Sequence, residues 1–250
     1  MKIISSWNHA ASGEPVAFAF GAFDGIHLGH QYLIAQLKNF AREKGLQTAL
    51  LAFSNHPQEV LFPGKQVPRI TSGPMRRKVL EEAGLDTLLE LPFTKETAHQ
   101  EPEEFVARIV SIVPVKIWVA GEDVAFGRGR RGDKAVLELL AMKYGFRTEF
   151  LSKRPGPSSR VIRTHILEGN LQQAEALLGR PFSIAAERTD GSTVYVEGQC
   201  LPPAGVWKVQ VRPWGSEEWQ KATLNIDPKG VVATLDCKVE SQTLEIQFLN

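Results

Sequence analysis

The sequence predicts an α/β domain built on a parallel sheet with helices on both faces, followed by a small all-β domain. Two observations predict the first part. Strand-like and helix-like segments alternate from Val16 to about Leu151, and glycine-containing turns follow the strand ends. A change of pattern predicts the second part. From Phe182 to Asn250 the chain holds short β-rich runs separated by turn residues. The boundary between the two falls at residues 182 and 183.

The elements follow in order. Val16–Phe20 is an apolar run that reads as a buried strand, and Leu28, Leu33, Ile34, Leu37, Phe40 and Ala41 then repeat with helical spacing. Thr48–Phe53 reads as the next strand. Arg76–Ala83 reads as a helix with Gly84 as its C-cap. Thr87–Leu91 is a short strand. Glu101-Pro102-Glu103-Glu104 opens a helix whose apolar face continues through Phe105, Ile109 and Ile112. Val115–Ala120 is a strand. Asp133 caps a helix that carries Val136, Leu137, Leu140 and Ala141 and ends at Gly145. Thr148–Leu151 is a further strand, and Val161–Leu178 reads as two short helices broken near Gly169-Asn170. Strands are then expected at Thr193–Val196, Val206–Val211, Thr223–Ile226, Val231–Leu235 and Thr243–Phe248, with turns that include Pro228-Lys229-Gly230.

The composition narrows the function. The chain has 250 residues and a formal net charge of +1, which argues against a dedicated nucleic-acid binder. Met1–Trp7 lacks the apolar run and small-residue cleavage site of a signal peptide. No apolar stretch approaches the ~20 residues that a membrane span needs. Cys200 and Cys237 are the only cysteines and have no metal-ligand spacing. These features lead to the expectation of a cytoplasmic protein without structural disulfides, acting on small molecules and needing no membrane or nucleic-acid partner.

The stretch with most chemistry is Gly21-Ala22-Phe23-Asp24-Gly25-Ile26-His27-Leu28-Gly29-His30. It stands between a strand and a helix start. Its glycines let the backbone approach a ligand, and the helix N-terminus offers N–H groups and a positive dipole end. His27 and His30 fall on one face of that first turn. Such a turn suits a polyphosphate. The residues resemble the HxGH signature of the nucleotidylyltransferase superfamily, which moves a nucleoside monophosphate from a triphosphate to an acceptor.

Three more motifs extend the resemblance. Phe53-Ser54-Asn55-His56-Pro57 and Gly121-Glu122-Asp123-Val124-Ala125-Phe126-Gly127 each end a strand, and Ser158-Ser159-Arg160-Val161-Ile162-Arg163 opens the late helices. In this order the set resembles the adenylyltransferase module of prokaryotic FAD synthetases, which is usually fused to a riboflavin kinase. Leu178-Gly179-Arg180-Pro181-Phe182 is similar to the junction between the two modules. The resemblance covers about residues 14 to 183.

The resemblance implies a Rossmann-like nucleotidylyltransferase fold for residues 1–182 and a riboflavin-kinase-like barrel for residues 183–250. It implies transfer of AMP from ATP to FMN, with Mg²⁺ accompanying ATP, FMN as substrate and FAD as product. It implies an ATP site at Gly21, Phe23, Asp24, Gly25, His27, Gly29, His30, Ser158, Ser159 and Arg163. His27, His30, Ser159 and Arg163 would be the catalytic group, with the histidines on the triphosphate and Ser158, Ser159 and Arg163 on the leaving pyrophosphate. Asp24 is expected to order the turn, because a phosphate nucleophile is already ionised and needs no base. Phe53, Asn55, His56, Pro57, Asp123 and Phe126 would line the flavin side.

The chain departs from the family pattern in places. Asn55 stands for the first proline of F-x-P-H-P, Val124 for a phenylalanine in G-x-D-F-x-F-G, and Arg160 for threonine in S-S-T-x-I-R. The C-terminal part departs further. The kinase pattern P-T-A-N is missing from Thr193–Trp207, although Pro203-Ala204-Gly205-Val206-Trp207 is similar to the P-x-G-V-Y that follows it. A metal-nucleotide site without those ligands should bind poorly, so riboflavin kinase activity is expected to be absent. Trp207, Trp214 and Trp219 suit either a barrel core, the favoured reading, or an exposed aromatic platform. Two other functions compete. One is an adenylyltransferase for another phosphate acceptor, such as nicotinamide mononucleotide or phosphopantetheine. The other is a non-catalytic flavin- or nucleotide-sensing regulator, motivated by the degenerate C-terminal part and the basic Arg128–Arg131 loop.

Overall fold

The protein is described by a computed structural model that covers residues 1–8, 13–152, 157–196, 198–227, 232–237 and 239–249. The expected turn at Pro228-Lys229-Gly230 lies outside the described residues, as does Val231, the expected start of one strand.

The chain runs β1 (Lys2–Ile4), β2 (Val16–Gly21), α1 (Leu28–Lys44), β3 (Gln47–Phe53), α2 (Pro57–Leu61), α3 (Gly73–Glu82) and β4 (Thr87–Leu91). It continues with α4 (Lys95–His99), α5 (Pro102–Val110), β5 (Val115–Gly121), α6 (Lys134–Tyr144) and β6 (Arg147–Leu151). The remainder is α7 (Ser159–Leu167), α8 (Leu171–Leu178), β7 (Ser183–Asp190), β8 (Thr193–Tyr195), β9 (Gly205–Pro213), β10 (Gln220–Ile226), β11 (Val232–Asp236) and β12 (Thr243–Phe248).

The first six strands form one sheet in the order β1-β4-β3-β2-β5-β6, and every neighbouring pair is parallel. This is the Rossmann-like sheet that the alternating pattern predicts. Its central strands are buried on both faces. Ala17, Phe18, Ala19, Leu50 and Leu51 are all fully covered, as continuous apolar runs in parallel sheets require. The chain moves outward from β2 through β3 to β4, then returns to lay β5 on the other side of β2. The order therefore reverses between β2 and β5, and ligands in such sheets bind beyond the carboxyl ends of the strands at that point.

The last six strands close into an antiparallel barrel in the order β10-β11-β8-β7-β12-β9. Its interior is filled by Ile184, Val194, Val209, Val211, Leu224, Leu235, Leu244, Ile246 and Phe248, all buried in one apolar cluster. Ile162 and Ile166 of α7 and Leu171, Ala174 and Leu178 of α8 belong to the same cluster.

By packing, the chain divides into two compact units. One comprises Met1–Phe23, His30–Val67 and Val79–Pro155, and the other Asp24–Gly29, Pro68–Lys78 and Gly156–Asn250. The second unit thus combines the barrel and α7–α8 with two short segments drawn from the N-terminal half.

Some local expectations need correction. Leu28 is exposed, because the buried stripe of α1 starts only at Ile34 and continues through Leu37 and Ala41. Trp207, Trp214 and Trp219 are neither core nor platform. Each is half-buried, with Trp207 against the barrel cluster, Lys78 above Trp214 and the Arg212 guanidinium 4.1 Å from the Trp219 ring centre.

Candidate active site

Within the first unit, three adjacent strands deliver three of the four motifs. β3, β2 and β5 lie side by side, and their carboxyl ends lead into Phe53–Pro57, Gly21–Phe23 and Gly121–Gly127. Gly21 closes β2 without a side chain because the Phe23 ring lies there. A Cβ on Gly21 would stand 3.0 Å from Phe23 Cε2. Phe23 is buried, adopts a φ of 46°, and holds its ring 4.9 Å from that of His30. A non-glycine residue at positive φ is uncommon and collects at functional turns.

The other residues of this unit divide by role. Asn55 turns its side-chain amide onto the backbone of Phe93, accepting from its N–H at 2.7 Å and donating to its carbonyl at 2.9 Å. His56 caps α2, its Nδ1 accepting from the Gln58 N–H, and Pro57 occupies the first helical position. Phe53 packs edge-on to Phe93. Phe126 is buried, with its ring against Phe20 and Phe105, so it faces the core. Asp123 is exposed just beyond β5. Arg128 and Arg131 of the basic loop lie near Glu101 at 3.5 and 3.7 Å, which gives them an acidic partner within the chain.

Within the second unit, bonds converge on Asp24. Its Oδ1 accepts from the Ile70 N–H at 2.9 Å and the Thr71 N–H at 3.3 Å. Its Oδ2 accepts from Arg163 Nη2 at 2.8 Å, and its carbonyl accepts from the Ser159 hydroxyl at 2.8 Å. Asp24 is therefore the tie of the turn. Arg163 also donates through Nε to the Pro68 carbonyl. Ser158 caps α7, its hydroxyl accepting from the Val161 N–H.

The turn itself is unusual in its backbone. Gly25 has a φ of 84°, where a side chain would be strained, and its N–H donates to the Thr71 hydroxyl at 2.7 Å. Ile26 is fully buried at a φ of 39°, a rare conformation for a β-branched residue, and its carbonyl accepts from Arg180 Nη1 at 3.2 Å. His27 follows, immediately before the first residue of α1, and is 7% exposed. Its pKa is lowered from 6.5 chiefly by burial; the Asp24 carboxylate opposes this and Arg180 adds to it. The imidazole is therefore neutral at pH 7 and offers one N–H.

Thr71 and Arg180 are the members that motif reading does not single out. Arg180 stands in the quoted junction Leu178–Phe182, but nothing in its spacing points back to Ile26. Thr71 stands in a polar stretch without periodicity, so only the fold reveals it. Among the described residues no group of three or more His, Cys, Asp or Glu side chains could hold a metal ion. No helix among them is long and apolar enough to cross a membrane.

A parallel sheet whose order reverses at β2, with helices between its strands, places the first unit in the Rossmann-like class. The comparisons with known proteins specify it further. A family model described as FAD synthetase matches residues 9–165, and the chain belongs to the FAD synthetase family. It is 29% identical to a bifunctional riboflavin kinase/FMN adenylyltransferase of Escherichia coli strain K12, over 98% of this chain and 84% of that protein. It is 32% identical to a protein of the same name from Listeria monocytogenes, over 82% of this chain and 71% of that protein. Among solved structures, a Streptococcus pneumoniae protein titled as a macrolide-efflux protein covers the whole chain at a TM-score of 0.83, matching 89% of that chain. At 22% identity that likeness speaks for the fold alone.

Proposed function

We propose that the chain transfers AMP from ATP to the 5′-phosphate of FMN, giving FAD and pyrophosphate, and that it does not phosphorylate riboflavin. The observation that carries the reading is the Gly21–His30 turn, with its buried His27 at the start of a 17-residue helix, in a chain of the FAD synthetase family. In this reading residues 1–182 are the adenylyltransferase domain and residues 183–250 a kinase-like β domain kept for packing or flavin docking. Free Cys200 and Cys237 suit a reducing cytoplasm.

A phosphate oxygen of FMN attacks the α-phosphorus of ATP, and the bond to the bridging oxygen of pyrophosphate breaks. The attacking phosphate is already ionised, so no general base is required. The residues hold and orient the reactants and stabilise charge as it builds. His27 donates its N–H to the triphosphate, whose negative charge favours the protonated imidazole. His30 is assigned to the triphosphate as well. The α1 N-terminus adds its dipole.

Ser159 and Arg163 contribute first by fixing Asp24. The bonds of Arg163 to Asp24 and Pro68 use two of the guanidinium's five N–H groups, so the others can still donate to pyrophosphate. Mg²⁺ would enter on the phosphates of ATP, where it neutralises charge. The described residues do not form a metal-binding cluster of their own.

The absence of kinase activity rests on the stretch Thr193–Trp207. It lacks P-T-A-N, and two of its polar side chains are committed elsewhere. Gln199 bonds the N–H and carbonyl of Ala185, and the Cys200 thiol donates to the Arg163 carbonyl. Chromatography of products after incubation with ATP, Mg²⁺ and either FMN or riboflavin tests both parts. FAD from FMN with no FMN from riboflavin is expected. No FAD from FMN overturns the transferase reading, and FMN from riboflavin overturns the assignment of the barrel.

A further inference from the structure

The segment Pro68–Lys78 does two things that no motif describes. At one end it holds the phosphate turn. The Ile70 and Thr71 N–H groups bond Asp24, the Thr71 hydroxyl accepts from Gly25, and the Pro68 carbonyl accepts from Arg163. Ile70 also packs against Gly25, where a Cβ would meet its Cγ2 at 3.1 Å.

The same segment is fastened to the barrel side of the unit. Arg69 N–H donates to the Gly198 carbonyl at 2.8 Å, and the Cys200 N–H donates to the Arg69 carbonyl at 2.7 Å. These two bonds make a parallel bridge between Arg69 and Gln199. Further along, the Lys78 ammonium lies on Oε2 of Glu245, a buried carboxylate on β12. Arg212 of β9, directly opposite in register, donates to the same oxygen through Nε at 2.8 Å, and its Nη2 lies 2.8 Å from that oxygen.

The turn needs such a holder. Gly25 and Ile26 sit at positive φ, and a backbone of that kind persists only where its surroundings over-determine it. The surroundings here are Thr71, Ile70 and Asp24 on one side and Arg180 on the other. The Gly198–Cys200 stretch, which lies within the part that lacks the kinase pattern, grips the segment at Arg69.

We infer that Pro68–Lys78 is a strap by which the barrel positions the phosphate turn for adenylyl transfer, with Thr71 as the positioning residue. The inference rests on the proposed activity but is testable apart from it. Thr71 touches no reacting atom in this scheme; it acts through Gly25 and Asp24, and so through His27.

Three variants test it: Thr71→Val, Thr71→Ser and Lys78→Met. Val matches the shape of Thr but leaves the Gly25 N–H without its acceptor, whereas Ser keeps the hydroxyl. Lys78→Met releases the far end of the strap while Arg212 still neutralises Glu245, so no bare charge is buried. For Thr71→Val, kcat/KM for ATP should fall about 10- to 100-fold, the scale of a misplaced reacting group, with KM for FMN unaltered. Thr71→Ser should restore it. Lys78→Met should raise KM for ATP and so lower kcat/KM by less.

A Thr71→Val enzyme with wild-type kcat and KM below its melting temperature overturns the inference. So does a loss that Thr71→Ser does not restore. A Lys78→Met enzyme with wild-type KM for ATP overturns the barrel's part in it. Binding of α,β-methylene-ATP, followed by calorimetry, separates this from the proposed activity. If the wild-type chain makes no FAD, the activity fails. If it nonetheless binds the analogue and Thr71→Val binds it at least about tenfold more weakly, the strap stands. Equal binding by both overturns it.

Discussion

Gly29 lies against the His27 ring, and a methyl group in its place would stand 3.2 Å from both Cε1 and Nδ1 of the imidazole. His27 is buried, so the ring has little room to yield. Gly29→Ala should displace it by a few tenths of an ångström and lower FAD formation by about 10- to 100-fold. Steady-state kinetics with ATP and FMN check this. Unchanged kcat would show that the imidazole is not held in a catalytic position.

His30→Ala should remove one donor to the triphosphate and lower kcat by about 10²- to 10³-fold. The His30 ring is half-buried beside Phe23, so the fold should survive. Product chromatography together with a thermal melt separates the two effects. Wild-type turnover in this variant would remove the core of the site assignment.

Stability should depend on pH through His27. Its folded pKa lies below the ordinary 6.5, so below pH 6.5 the unfolded chain binds a proton that the folded chain does not. The folded state therefore loses stability as pH falls from 6.5, and this loss levels off beneath the lowered folded value. Above 6.5 the group is neutral in both states and contributes no slope. Urea denaturation at pH 7.5 and 5.5 should show the loss, and His27→Gln should reduce it. An identical pH dependence in that variant would speak against a buried neutral imidazole.

Asn55 offers a test of the loop that follows β3. Its amide makes a two-bond link to Phe93, so Asn55→Ala should cost about 1–3 kcal/mol of unfolding free energy, at ~1 kcal/mol per hydrogen bond. Proline, which the family pattern places here, cannot make either bond. An Asn55→Ala variant with unaltered urea midpoint and slope would mean that water replaces both partners at no cost.

The two thiols should differ in reactivity. Cys200 is fully buried and desolvation pushes its pKa up to about 12, while Cys237 is half-buried. Iodoacetamide at pH 8 should label Cys237 first and Cys200 only on unfolding. Mass spectrometry of the labelled peptides reads this directly, and early labelling of Cys200 would contradict its packing under α7.

The sequence carries much of this architecture. Buried runs such as Val16–Phe20 and Thr48–Phe53 announce central strands because both their faces are covered. The caps at Asp133 and Gly145 announce α6 because they supply groups that the helix ends lack. Elements with weak patterns escape. β1 has three residues, α2 and α4 have five each, and β7 hides its alternation in Ala185, Ala186 and Arg188. The site is legible as motifs but not as bonds. Asp24 reads as a turn residue, yet its partners Ile70, Thr71, Ser159 and Arg163 are distant in sequence and no local rule connects them.

That distance has a consequence for synthesis. Asp24 and Arg163 are 139 residues apart, and Ile26 and Arg180 are 154 apart. The turn that would receive the triphosphate leaves the ribosome early, but Arg163 and Arg180, two of its restraints, emerge long after it. Contacts of such long range form late, after much of the chain has been ordered. A nascent chain that ends before Arg180 carries the HxGH residues without the geometry that makes them useful, so nucleotide capture is deferred until translation of the second unit is well advanced.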